Sequence, residues 1–143
     1  MKKLHQLLII TIATSILLGA YYGWIFIHIW GIAEEEVIFW GHISMAAGLG
    51  GILLLLLSFL LAERMRTYWR AVILFLFAFW SLGIGLLQVI PLLFWLSGGT
   101  VSDKPYSPKA VIWGAVPHIA LLLLAVATLY QILKKWPTAV KKV

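Results

Sequence analysis

Polar residues are gathered along this chain into narrow clusters that separate long apolar stretches. Four stretches, Leu7–Ile29, Val37–Ala62, Ala71–Leu96 and Val111–Leu133, contain no charged residue. Each reaches the roughly 20 apolar residues that carry an α-helix across a bilayer. The links between them differ in kind. Gly31–Glu36 and Glu63–Arg70 are short, so the helices on either side are expected to be antiparallel neighbours. Ser97–Pro108, with its GG, KP and SP punctuation, reads as a longer loop. The pattern therefore predicts an all-α integral membrane protein, an up-down-up-down bundle of four transmembrane helices forming one membrane domain over residues 1–143. Lys2 and Lys3 before the first stretch resemble the start of a signal peptide. That stretch continues past Gly19 through Tyr21, Tyr22 and Trp24 without a small-residue cleavage pattern, so it is read as a retained span.

The informative positions are those where an apolar run admits something else. Trp40–Leu56 places His42, Ser44 and Met45 at the entrance of the second span, followed by Gly48, Gly50 and Gly51. An imidazole near hydrocarbon needs a partner, and glycines allow another helix or a flat ligand to approach the backbone. Depth follows from counting inward from the charged ends at 1.5 Å per residue. His42 is 21 residues from Glu63, Met45 is 18, Gln88 is 18 from Arg70 and His118 is 16 from Lys134. His28 closes the first span on the same side. Four helices thus each deliver a ligand-capable or hydrogen-bonding side chain to one half of the membrane. Thr11, Ser15, Gly19 and Gly23, spaced by four, predict a helix-packing stripe. Pro91 predicts a kink in the third span.

Composition narrows the class. The chain is 63% hydrophobic and 11% charged, against about a quarter charged for a soluble domain. It holds no cysteine, which excludes disulfides, thiolate metal sites and cysteine-ligated iron–sulfur clusters. The net charge of +6 does not point to nucleic acid, because the basic residues stand at the ends of the apolar runs. Of the 11 lysines and arginines, nine fall on one side and only Lys104 and Lys109 on the other, which also carries Glu34, Glu35, Glu36 and Asp103. Both termini are accordingly expected in the cytoplasm and the protein in the plasma membrane. Trp30, Trp40, Trp95 and Trp113 mark the outer interface, Trp69 and Trp136 the inner one.

Heme b is the simplest cofactor for such a polar cluster, since iron in a bundle takes axial ligands from facing helices. His42 with His118 is the expected pair. The two differ in depth by five residues, about 7.5 Å, part of which helix tilt absorbs. Met45, at a depth closer to that of His118, is the alternative axial ligand to His42. Gln88 and His28 are expected near the site as hydrogen-bonding groups. Plainer readings stand beside this one: His42 and His118 as polar ties between helices, Gln88 as an interhelical hydrogen bond and His28 as an interfacial residue. A metal ion held by three histidines is a further alternative.

At GHISMAAGLGG and GAVPHIALLLLAV the second and fourth helices resemble one four-helix half of heme A synthase, where the ligands also fall on second and fourth helices. Ile43 and Phe39 stand where that family has an arginine and an acidic residue. The GHI…G segment is similar to the low-spin heme helix of heme–copper oxidase and nitric oxide reductase core subunits. Over nearly the whole length the chain also resembles small bacterial four-helix proteins with a Gly-Tyr first helix, a His-bearing second helix and a Gly-x-x-His fourth helix. Those features correspond to Gly19–Gly23, His42 and Gly114–His118, the last with one residue more. These resemblances imply a small b-type-cytochrome-like subunit passing electrons near the outer face, with a quinol docking among Trp40, Phe94, Trp95 and Trp113. The alternatives are a cofactor-free accessory or assembly subunit of a respiratory complex, and a membrane enzyme acting on a lipid or quinone through His42 or His118. The expected partners are the lipid bilayer, a quinol or a larger respiratory complex, and a further copy of the chain in a homo-oligomer. No nucleic acid is expected.

Overall fold

The computed structural model describes residues 2–31, 35–62, 67–98 and 106–140, and nearly all of them are helical. α1 (Lys2–Ala20) continues through a π-helical turn (Tyr21–Ile25) into α2 (Phe26–Trp30); α3 (Glu35–Ala62), α4 (Thr67–Leu96) and α5 (Pro108–Val140) follow. Four segments, Lys3–Trp30, Glu35–Leu61, Tyr68–Leu96 and Pro108–Trp136, are long and apolar enough to cross a membrane. Their 27–29 residues amount to about 40 Å of helix, more than the roughly 30 Å hydrocarbon layer. Tilting, or ends that reach into the headgroup region, accommodates the excess. Glu34, Glu63, Arg64, Arg66, Asp103, Lys104, Lys141 and Lys142, on which part of the expected charge asymmetry rests, lie outside the described residues.

The ends of the helices are chemically marked. Gly31 adopts φ +65° and its N–H donates to Ile27 O at 2.8 Å, a left-handed stop that a side chain would strain. Gly98, at φ +81°, ends α4 in the same way. Ser107 caps α5, its Oγ accepting from the Ala110 N–H at 3.3 Å, with Pro108 placed at the first helical position, where no donor is needed.

α1 packs on α3 and α5, and α4 packs on α3 and α5, closing a ring of four rods. Lipid tails are as apolar as leucine, so close backbone approach and hydrogen bonds hold such rods together. The small residues of α1 and α3 provide that approach. A Cβ on Gly19 would stand 2.6 Å from Met45 Cβ and 2.9 Å from Gly41 O. Gly48 leaves room for Ile16, and Gly51 for the Trp80 ring, whose Nε1 donates to Ala47 O at 2.8 Å. The expected stripe on α1 is thus a packing stripe, with polar ties as well: Thr11 Oγ1 lies 3.0 Å from Thr128 Oγ1, and Ser15 Oγ donates to the Ser44 carbonyl. Pro91 is buried in α4, which continues past it to Leu96.

Two apolar clusters fill the interior. One gathers Leu4, Leu8, Ile73, Phe77 and Ile132. The other holds Leu18, Tyr22, Phe26, Ile84, Trp95 and Leu121. The polar side chains considered next lie within this second cluster.

Candidate functional site

His118, only 1% exposed, is met by Gln88 of α4 and by Tyr22 of the first span. Its Nδ1 lies 2.6 Å from Gln88 Oε1, and a carbonyl oxygen only accepts, so Nδ1 is the protonated nitrogen that donates. The amide nitrogen of Gln88 donates in turn to Ser44 Oγ and to Ile84 O, both at 3.3 Å. The Ser44 carbonyl accepts from Ser15. On the other side the Tyr22 ring stacks on the imidazole, with centroids 4.9 Å apart and planes 17° apart, while its hydroxyl donates to Gly114 O. A continuous chain, Ser15–Ser44–Gln88–His118–Tyr22, therefore links α1, α3, α4, α5 and the π-helical turn. The second imidazole nitrogen, Nε2, is not part of it.

The turn positions both tyrosines, and a proline explains the acceptor of the first. Pro117 has no N–H, so the carbonyl four residues earlier, that of Trp113, has no helical donor. The wider π turn brings two successive tyrosines to two successive carbonyls: Tyr21 donates to Trp113 O at 3.0 Å and Tyr22 to Gly114 O. The freed acceptor, Trp113 O, must find a donor in an apolar medium, and the Tyr21 hydroxyl supplies it. Restoring the missing N–H makes the first donor redundant. Tyr21→Phe is expected to lower stability by about 1 kcal/mol in the native background and by much less in a Pro117→Ala background. SDS-titration unfolding of the four proteins of this cycle measures the coupling. Equal losses in both backgrounds would show that Tyr21 does not serve the proline carbonyl.

Trp95 completes the site from above. It is fully buried and lies so close to α5 that a Cβ on Gly114 would stand 2.4 Å from its ring. Phe26, Phe94 and Tyr106 surround it, with centroids at 5.4, 5.0 and 5.8 Å. Trp40 reaches this group through Phe94 at 5.2 Å, whereas Trp113, the fourth residue expected to form a quinol site, is exposed on α5.

The structure treats the sequence candidates unequally. His118 and Gln88 meet in the interior. His42 does not join them: it lies on the exposed side of α3, with its Nε2 3.8 Å from where a Gly23 Cβ would stand. Of the two imidazoles expected as a pair, His118 is buried and His42 is exposed. The buried face of α3 is set by Gly41, Ser44, Gly48 and Gly51, and His42, one residue beyond Gly41, is rotated by about 100°. Met45 is half-buried and its Cβ fills the notch over Gly19. His28 is exposed, with Nδ1 2.7 Å from Trp24 O and its ring beside the Trp24 indole. Among the described residues no three His, Cys, Asp or Glu side chains are grouped to hold a metal ion. Tyr21, Tyr22 and Ser15 belong to the site but were not singled out for it. The signal for Tyr21 was Pro117, which identifies the carbonyl in need of a donor.

Against protein-family models, curated proteins and solved structures alike, the chain finds no match, so the likeness to heme A synthase and oxidase core subunits gains no support from these comparisons.

Proposed function

We propose that the chain is a membrane-embedded accessory subunit whose buried polar chain is an architectural lock rather than a reaction centre. The observation that carries this reading is the hydrogen-bonded sequence Ser15–Ser44–Gln88–His118, closed by the stacked Tyr22, which joins all four spans. A histidine used in this way specifies how helices meet. The arrangement proposed is an up-down-up-down bundle in the plasma membrane with both termini cytoplasmic. Its supports are the nine-to-two distribution of the 11 basic residues and the contacts of Thr11 with Thr128 and Tyr22 with Gly114.

One observation favours a second reading, in which His118 is an axial ligand of heme b. Metal-ligating imidazoles characteristically donate their other N–H to an oxygen acceptor, as Nδ1 does here to Gln88, leaving Nε2 for iron. The residues present fit this group only in part: His118 is buried with Nδ1 on Gln88, while His42 is on the exposed side of α3.

The absorbance spectrum of the purified protein, with and without added hemin, separates the two readings. The accessory reading expects no Soret band, and a His118→Ala variant that still folds but unfolds at lower denaturant. A Soret band present in the native protein and lost in His118→Ala would overturn it in favour of heme.

A further inference from the structure

The start of α1 and the end of α5 lie at the same end of the bundle. Leu4 and Leu8 pack in one cluster with Ile132, and the contact between Thr11 and Thr128, 3.0 Å between hydroxyls, fixes the antiparallel register of the two helices. Lys3 stands eight residues before Thr11 and Lys134 six after Thr128, so the two lysines lie within about 3 Å of one level. Both are exposed. They also stand at the edges of their spans: Lys3 opens Lys3–Trp30, and Lys134 is two residues from the end of Pro108–Trp136.

Helical spacing sets both lysines on one groove. The side of α1 that meets α3 carries Ile12 and Ile16, and at about 100° per residue Lys3 falls on the other side of Thr11. The side of α5 that meets α4 carries Ala125, whose carbonyl accepts from Ser81, and Trp136, whose ring lies beside Phe75. Lys134 falls on the other side of Thr128. Lys3 shares its stripe with Leu7 and Thr14, and Lys134 with Ala127 and Gln131. All four of these are half-buried, as residues at the margin of a helix contact are. The two lysines therefore flank the lipid-facing groove between α1 and α5. Among the described residues no carboxylate stands at this end, since Glu35 and Glu36 begin α3 at the other. Glu63, which follows α3 in the sequence, lies outside the described residues.

We propose that this groove binds an anionic phospholipid, with the phosphate between Lys3 and Lys134 and an acyl chain along the groove. Like charges at one level on either side of a groove repel, and an anion between them turns that repulsion into attraction. An ammonium holds phosphate as a point charge on a flexible stem, so the site needs no rigid fork. Depth selects the source of the anion. At the edge of a membrane span the phosphate at hand is that of the lipid, and Trp136 is an aromatic marker of the same level. Further into the membrane Ala127 and Ala120 leave room beside Leu123, which is 63% exposed, an apolar bed for the chain. The proposal rests on neither reading of His118.

Spin-labelled lipids measure the preference. The purified protein is reconstituted in phosphatidylcholine bilayers, and the motionally restricted fraction is compared for phosphatidylglycerol and phosphatidylcholine probes. The native protein is expected to retain phosphatidylglycerol in preference. Lys3→Gln and Lys134→Gln should each lower that preference by up to about fivefold, the worth of one basic side chain near an anionic surface. The double variant should abolish it, and Lys134→Arg, which keeps the charge, should preserve it. Arg70→Gln, at the same end but on α4, and Lys109→Gln, on the first turn of α5 at the opposite end, should leave it unchanged. All four positions are exposed, so the variants are expected to fold. A native protein without preference would overturn the proposal, as would a preference that survives in the double variant. A loss in Arg70→Gln equal to that in Lys3→Gln would do so too, because it would show attraction to the whole basic end and no site in the groove.

Discussion

Replacing Gly19 with leucine is expected to separate α1 from α3 and to leave little folded protein in the membrane. The reason is the approach of two backbones. Even a single Cβ at this position would come within 2.6 Å of Met45 Cβ and 2.9 Å of the Gly41 carbonyl oxygen. The first atom is the root of a side chain and the second is backbone, so neither yields by a rotamer change. Gly19→Ala is expected to cost about 1–3 kcal/mol, the usual range for overpacking. Leucine adds three further carbons to the same contact, and its cost approaches the whole stability of a small bundle. Gly83→Ala is the control, because a Cβ there meets nothing within 4 Å. It is expected to leave stability unchanged or to raise it slightly through helix propensity. SDS-titration unfolding of the alanine variants, with the yield of monodisperse protein for leucine, measures the series. A Gly19→Ala protein as stable as Gly83→Ala would mean that α1 and α3 are not in contact through this glycine.

The close approach at Gly19 was legible because four-residue spacing of Thr11, Ser15, Gly19 and Gly23 is a feature of one helix face. The spans were legible for a similar reason: length and absence of charge do not depend on tertiary detail. The phase of α3 was harder to read. In water a helix announces its buried side by amphipathicity, but α3 is apolar all round and its outside faces lipid, so an exposed His42 and a buried Ser44 look alike in composition. Gly41, Gly48 and Gly51 together indicate the buried side, and they place His42 away from it. The glycines, not the histidine, set the orientation of α3. Tyr22 was hidden by local geometry. In a regular α-helix two successive tyrosines point about 100° apart, and nothing in the residues from 21 to 25 marks the π turn that directs both hydroxyls at α5. Pro117 is the exception, since a proline within a helix always names a carbonyl without a donor.

Gln88 is where the polar chain is expected to be most vulnerable, because its side chain hydrogen-bonds side chains of two other spans, Ser44 of α3 and His118 of α5. Gln88→Leu removes the acceptor for His118 Nδ1 and the donor to Ser44 Oγ in one step. A single interhelical hydrogen bond in a membrane is worth about 1 kcal/mol. The buried imidazole N–H left without a partner adds about 1–3 kcal/mol more. A total loss of about 2–4 kcal/mol is therefore expected. Ser44→Ala should cost less, since it is the Ser44 carbonyl, kept in alanine, that holds Ser15. The decisive measurement is the double variant Gln88→Leu/His118→Leu. If the two side chains act as a pair, removing both leaves no orphaned donor or acceptor between them. The double variant should then be more stable than the sum of the single losses predicts, by about 1–2 kcal/mol. The Tyr22 ring would still have an apolar surface to pack on. Strictly additive losses would mean that Gln88 and His118 contribute independently. The chain from Ser15 to Tyr22 would then be a row of separate contacts and not the lock on which the accessory-subunit reading depends.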